Sequence, residues 1–123
     1  RDAAARAEAL GYRTCLLTDR LQCEAREAGR LRISLEAAKE KEGELLVFLH
    51  YPPIFGQEVN LPILETLLEF DVRRVYYGHI HASGCSYALN GVYQGIDFRL
   101  ISSDFLYFNP IKIEKSTEKS QLF

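Results

Sequence analysis

The amino-acid sequence predicts an α/β domain with a short, mostly parallel sheet flanked by helices and followed by C-terminal antiparallel strands. Helical patterns alternate with short apolar runs through the first two thirds of the chain, an order typical of layered α/β domains. The last third is rich in aromatic residues and contains an Asn90-Gly91 turn sequence, which favours antiparallel strands. The length of 123 residues suits a single domain with a core of its own.

Composition narrows the class of protein and its partners. Hydrophobic residues make up 47% of the chain and charged residues 26%, which are ordinary values for a globular protein. The net charge of −2 gives no general attraction to nucleic acid or to a membrane surface, so we expect neither as a partner. The three cysteines show no CxxC spacing, which favours a reducing, cytoplasmic setting.

The first half of the chain predicts a helix, a strand and a second helix. Residues 1–10 are rich in alanine, leucine and charge, which favours a helix. Residues 12–18 form an apolar run that predicts a buried strand, with Asp19 at its carboxyl end. Residues 24–42 predict a longer helix, because apolar residues recur at three- and four-residue steps, at Ala28, Leu31, Leu35 and Ala38.

The second half predicts two more strands separated by a short helix. Residues 44–51 are almost continuously apolar, as in strands buried on both faces of a parallel sheet. Residues 60–70 predict a helix with Asn60 as its N-cap. Residues 72–80 predict a third strand, after which the antiparallel strands follow.

All three histidines of the chain follow predicted strands at their carboxyl ends. Ligands of open α/β sheets bind at this edge, and imidazole is a common ligand of zinc, manganese and iron. A lone histidine is more often a hydrogen-bonded loop residue, but three at one edge favour a metal. We therefore predict a divalent metal site formed by His50, His79 and His81, with Asp19 as a further candidate ligand.

Two further groups of residues are weaker candidates for a site. Cys85 follows the histidine pair closely enough to join a mononuclear zinc site. Free cysteines, however, often pack as small hydrophobic residues, and we favour that role here. Residues 102–104 (Ser-Ser-Asp) suggest a nucleophile, but no GxSxG sequence supports one.

Two stretches carry a family resemblance. "LLVFLHYPPIF" at 45–55 and "YYGHIHASG" at 76–84 resemble the last two metal motifs of the calcineurin-like metallophosphoesterases, and the similarity extends over about residues 26–113. The resemblance implies a hydrolase whose two divalent metals, such as manganese, zinc or iron, activate water and clamp a small phosphate ester. It also implies that His50 and His79 serve one metal and that His81 serves the other.

The rest of the family pattern is missing from this sequence. The Asp-x-His, Gly-Asp-x-x-Asp and Asn-His motifs of these enzymes do not occur. The sequence therefore also lacks the carboxylate that, in the family, bridges the two metals and offsets their mutual repulsion. The resemblance therefore implies half of a dinuclear site, and we do not expect efficient hydrolysis. The alternative is a non-catalytic folded module, either a fragment or a recombined or designed chimera.

The N-terminal segment supports the idea of a chimera. Residues 3–30 resemble part of the MOFRL-type domain of glycerate kinases, and they overlap the phosphoesterase-like segment at "EAREAGRL". The competing interpretation is a divergent phosphoesterase with an altered N-terminus.

The two ends of the sequence carry less information. Residues 114–123 are predicted to be a polar tail. Because the chain has no methionine and begins at Arg1, we expect an excerpt or a processed product, whose exposed strand edges would favour a homodimer.

Overall fold

A computed structural model describes residues 20–115 of the chain. The helix and strand predicted over residues 1–18, and Asp19, lie outside the described residues. No helix within the described range is long and apolar enough to cross a membrane. The elements in chain order are α1 (Arg20–Lys39), β1 (Leu46–Leu49), β2 (Ile54–Phe55), β3 (Glu58–Val59), α2 (Leu61–Glu69), β4 (Arg74–Tyr77), a 3-10 helix (Ala82–Tyr87), β5 (Gly91–Tyr93) and β6 (Ile96–Leu100).

Four of these strands form one mixed sheet. Its order is β1-β4-β6-β5, with β4 parallel to both β1 and β6, while β5 is antiparallel to β6. The register places Val47 beside Val75 and Val75 beside Phe98. Strands β2 and β3 form a separate antiparallel hairpin. The predicted class, a mostly parallel sheet with helices and C-terminal antiparallel strands, is confirmed.

The hydrophobic core lies between the helices and one face of the sheet. Leu67 of α2 and Phe98 of β6 are completely buried there, and burying such side chains is worth about 1.5–3 kcal/mol each relative to exposure. Side chains alternate between the two faces along β6, so every second residue is buried: Ile96, Phe98 and Leu100 all lie on the face toward the core.

The predicted start of α2 is confirmed in detail. Asn60 is the N-cap, and its side-chain oxygen accepts a hydrogen bond from the Ile63 amide at 3.2 Å. Pro62 lies in the first turn, where its missing amide hydrogen costs nothing. The cap fixes where the helix begins, so that Ile63, Leu64 and Leu67 all lie in the core.

Helix α1 ends earlier than its sequence pattern predicts, at Lys39 instead of residue 42. Of the predicted apolar stripe, Ala28 and Leu35 are buried. An ion pair between Arg32 and Glu69 links α1 to α2. The Arg32 guanidinium also lies 5.6 Å from the ring centre of Phe70. Ionic and cation–π contacts therefore add to the small apolar contact that α1 makes through Ala28 and Leu35.

The prediction that β1 is buried on both faces is wrong. Leu46 and Phe48 are 37% and 56% exposed, and Phe48 is stacked on Tyr76 with ring centres 5.3 Å apart. The physical reason is that both described helices pack against the opposite face of the sheet, which carries Val47. Among the described strands, β1 and β5 are the two edges of the four-stranded sheet. The homodimer expected from open edges stays a prediction.

The predicted turn at Asn90-Gly91 is also wrong. The tight turn lies between β5 and β6 at Gln94 and Gly95. Both residues have positive φ (49° and 81°), as the two central residues of a type I′ hairpin turn require. The side chain of Asn90 instead accepts a hydrogen bond from the Leu100 amide at 2.9 Å. Cys85, which we expected to begin a strand, lies in the 3-10 helix, and the first antiparallel strand of the sheet begins at Gly91.

We predict that replacing Tyr77 by Phe lowers the free energy of unfolding by about 1–2 kcal/mol, because a buried acceptor loses its donor. The Tyr77 hydroxyl donates a 2.7 Å hydrogen bond to the Leu89 carbonyl. Burial raises the pKa of Tyr77 to about 12, whereas an unfolded tyrosine has a pKa of about 10. The folded state therefore holds the hydroxyl proton more tightly than the unfolded state does. The extra free energy of unfolding of wild type is fully present below the pKa of unfolded tyrosine, and it is lost as the pH rises through the pKa of Tyr77 in the folded state.

Urea unfolding of wild type and Tyr77→Phe at neutral and alkaline pH measures this difference. Tyr87→Phe is the matched control, since Tyr87 is 68% exposed, and we expect it to leave the stability unchanged. A wild-type advantage that is constant from neutral to strongly alkaline pH contradicts the assignment.

Candidate metal-binding site

Parallel pairing brings the ends of three strands to one edge of the sheet. His50 directly follows β1, and Gly78 and His79 directly follow β4. The Gly78 amide donates to the Leu49 carbonyl at 3.2 Å and to the His50 carbonyl at 3.1 Å. These two hydrogen bonds hold the two strand ends side by side, and the histidines on them meet as a result.

His50 and His79 are in direct contact. Nε2 of His50 lies 3.3 Å from Nδ1 of His79, and the ring centres are 5.1 Å apart. The Tyr51 ring lies 4.7 Å from each imidazole. Both histidines are exposed to solvent. In the absence of a metal, one ring donates a hydrogen bond to the other, and the tautomers decide which ring donates.

The backbone at His79 is strained. His79 has a φ of 70°, and the Ile80 amide donates to the Gly78 carbonyl at 2.8 Å. This is a γ-turn with positive φ at its centre, the rare and strained form. A residue with a Cβ atom loses about 1–2 kcal/mol in left-handed backbone. Strain of this kind clusters at functional sites, and here it presents the imidazole of His79 to His50.

His81 has a different partner, Asp104. Its Nδ1 lies 2.8 Å from Oδ1 of Asp104. The Ala82 amide donates to Oδ2 of Asp104 at 2.7 Å, and the Phe105 amide donates to Oδ1 at 3.0 Å. The Ala82 amide and then the His81 ring hold the pKa of the Asp104 carboxyl below its usual value. Asp104 is therefore an ionised acceptor at neutral pH.

Sequence reasoning missed this role of Asp104. The sequence of residues 102–104 suggests only a nucleophile. Its place in the chain could have indicated the role. Asp104 lies just beyond β6, which is parallel to β4 and ends at the same edge of the sheet as the histidines. The predicted set thus divides into two pairs, one formed by His50 and His79 and one formed by His81 and Asp104.

The described residues contain no larger cluster. Between residues 24 and 115, whose side chains the structure describes, no three His, Cys, Asp or Glu side chains are grouped so that they could hold one metal ion. Cys85 is partly buried against the core, with its sulfur 3.8 Å from the Ile80 carbonyl, which agrees with the predicted packing role. The predicted three-histidine metal site therefore stays a prediction.

A groove of about 520 Å³ is lined mainly by residues of α1 and β1, and its lining includes His50 and Tyr51. Most of its lining side chains are aliphatic, and its acidic and basic members are Glu27 and Arg30. Burial raises the pKa of the Glu27 carboxyl. His50 therefore borders a mainly apolar groove.

Comparisons of the chain with protein-family models, with curated proteins and with solved structures found no significant match. The structure itself defines the class of the described part, a mixed α/β domain with two imidazole-containing pairs near the carboxyl ends of its parallel strands.

We predict that His79→Gly is more stable than His79→Ala by about 1 kcal/mol, because glycine adopts left-handed backbone without a Cβ clash. Thermal or urea unfolding of the two variants measures the difference, and both lack the imidazole, so the comparison isolates the backbone.

The same pair of substitutions at His81 provides the control. His81 has an extended backbone with a φ of −135°, so there alanine is expected to be the more stable replacement. If alanine is also favoured at position 79, the backbone of His79 is not strained.

Proposed function

We propose that the carboxyl edge of the sheet binds a divalent cation through His50 and His79, as half of a phosphoesterase-type metal site. The observation that supports this most directly is the 3.3 Å separation of His50 Nε2 and His79 Nδ1. Two nitrogens bonded to one tetrahedral zinc at about 2.0–2.1 Å are separated by about 3.3–3.4 Å. The two rings therefore already have the spacing of two ligands of one ion.

The donor set favours borderline metals. Imidazole suits zinc, manganese and iron, whereas magnesium and calcium prefer oxygen ligands. Among the side chains of residues 24–115, no third His, Cys, Asp or Glu completes a ligand group around this pair. A bound ion would therefore have positions left for water or for an oxygen of a ligand, and its affinity would be modest.

A phosphate ester is the substrate class that fits such a site. A divalent metal with open positions supplies Lewis-acid activation of a phosphoryl oxygen. The motifs "LHYPP" and "GHIH" support the same class through their resemblance to metallophosphoesterases. By that resemblance, His81 serves a second metal, and its position beyond the same strand as His79 is compatible with that role. Asp19 remains a candidate ligand outside the described residues.

Metal binding tests the first step. We expect purified chain to bind one zinc or manganese ion in a calorimetric titration, with His50→Ala and His79→Ala each weakening binding by at least about tenfold, as loss of a ligand should. Tyr87→Ala is the control, because Tyr87 is an exposed aromatic residue that does not belong to the histidine pair. Equal affinity in wild type and both histidine variants would exclude the site.

Hydrolysis of an aryl phosphate tests the second step. We expect slow turnover that requires zinc or manganese and disappears in His79→Ala, because half of a two-metal site supplies only part of the charge stabilisation. The non-catalytic module predicts the opposite: no turnover above the His79→Ala background and a thermal midpoint that is unchanged by a chelator. A chelator-induced loss of structure would count against the module, since structural metal binding contributes folding free energy.

A further inference from the structure

Asp104 is held more firmly than an ordinary surface carboxylate. Its two oxygens accept hydrogen bonds from the Ala82 and Phe105 amides at 2.7 and 3.0 Å. One of these amides belongs to the connection after β4 and the other to the connection after β6. Main-chain donors on both sides leave the carboxylate little freedom to rotate, so the direction of its free lone pairs is fixed.

The ring of His81 meets this fixed acceptor through Nδ1. The distance from His81 Nδ1 to Asp104 Oδ1 is 2.8 Å, which is typical of a charge-assisted hydrogen bond. An ionised carboxylate only accepts hydrogen bonds, so the hydrogen of the neutral ring must be on Nδ1. The other ring nitrogen, Nε2, then carries the lone pair, and the His81 side chain is 59% exposed.

We propose that Asp104 is a positioning residue: it fixes His81 as the Nδ1–H tautomer and presents Nε2 to solvent as a metal ligand. Histidines that bind metals commonly donate their other ring N–H to a carboxylate or a carbonyl, which orients the ring and raises its basicity. The ligand role of Nε2 rests on the proposed function, whereas the tautomer and its cause do not.

The tautomer can be read directly by ¹⁵N NMR. In long-range proton–nitrogen spectra of chelator-treated chain at about pH 8, above the usual imidazole pKa, we expect a protonated Nδ1 and an unprotonated Nε2 for His81. Asp104→Ala is expected to return His81 to the Nε2–H tautomer, which free imidazole side chains prefer. Asp97→Ala is the matched control, because Asp97 is a carboxylate of β6 that pairs with Arg99 and not with a histidine.

Asp104→Asn is the second variant, and it keeps the shape of the side chain in case Asp104→Ala does not fold. Its single oxygen cannot accept from every donor that now shares the carboxylate, so we expect a smaller population of the Nδ1–H tautomer. The proposal is overturned if wild-type His81 is the Nε2–H tautomer, or if the folded variants at position 104 keep the wild-type tautomer.

Metal titration separates this proposal from the proposed function. Where a second, His81-dependent ion binds, we expect Asp104→Ala to weaken it by about 10–100-fold and to leave the ion at His50 and His79 unchanged. If no metal binds but the tautomer depends on Asp104, the proposed function fails and the positioning role stands. If metal binds and the tautomer ignores Asp104, only the positioning role fails.

Discussion

The parallel pairing of β4 with both β1 and β6 is the constraint on which the rest of the described structure depends. Parallel strands all end at one edge, and loops at that edge converge even when they are far apart in the chain. His50 and His79 are separated by 29 residues, and His81 and Asp104 by 23. Each pair forms because two neighbouring strands stop at the same level, and no local sequence preference could bring either pair together.

Much of this arrangement was predictable from local chemistry. The cap at Asn60, the apolar runs of β1 and β4 and the position of the histidines after those strands all follow from turn chemistry and periodicity. Knowing only that parallel strands share a carboxyl edge was enough to expect His50 near His79. The metal and its identity are proposals that rest on the spacing and chemistry of the histidine pair, and the phosphate ester is a proposal that rests on motif resemblance.

The features that escaped prediction depend on partners distant in sequence. The turn predicted at Asn90-Gly91 lies instead at Gln94 and Gly95. The Asn90 side chain accepts a hydrogen bond from the Leu100 amide of β6, a contact that depends on the pairing of strands. The exposure of Phe48 depends on which face the helices cover, and apolar character alone does not reveal that. The partnership of Asp104 with His81 required the register of β6, which the residue types do not encode locally.

The contact between His81 and Asp104 also closes a ring of chain. The enclosed residues contain the 3-10 helix, β5 and β6, so this segment is fastened at both ends by one pair of side chains. Closing a loop has an entropic cost that grows only slowly with loop length. The pairing of β6 with β4 already brings the two ends of this segment close together, so the contact between His81 and Asp104 adds little to that cost. The first residue of the 3-10 helix, Ala82, donates its amide to the same carboxylate that contacts the His81 ring. Opening the start of that helix would therefore also release one of the hydrogen bonds that orient Asp104, so the order of the segment and the geometry of the edge are coupled.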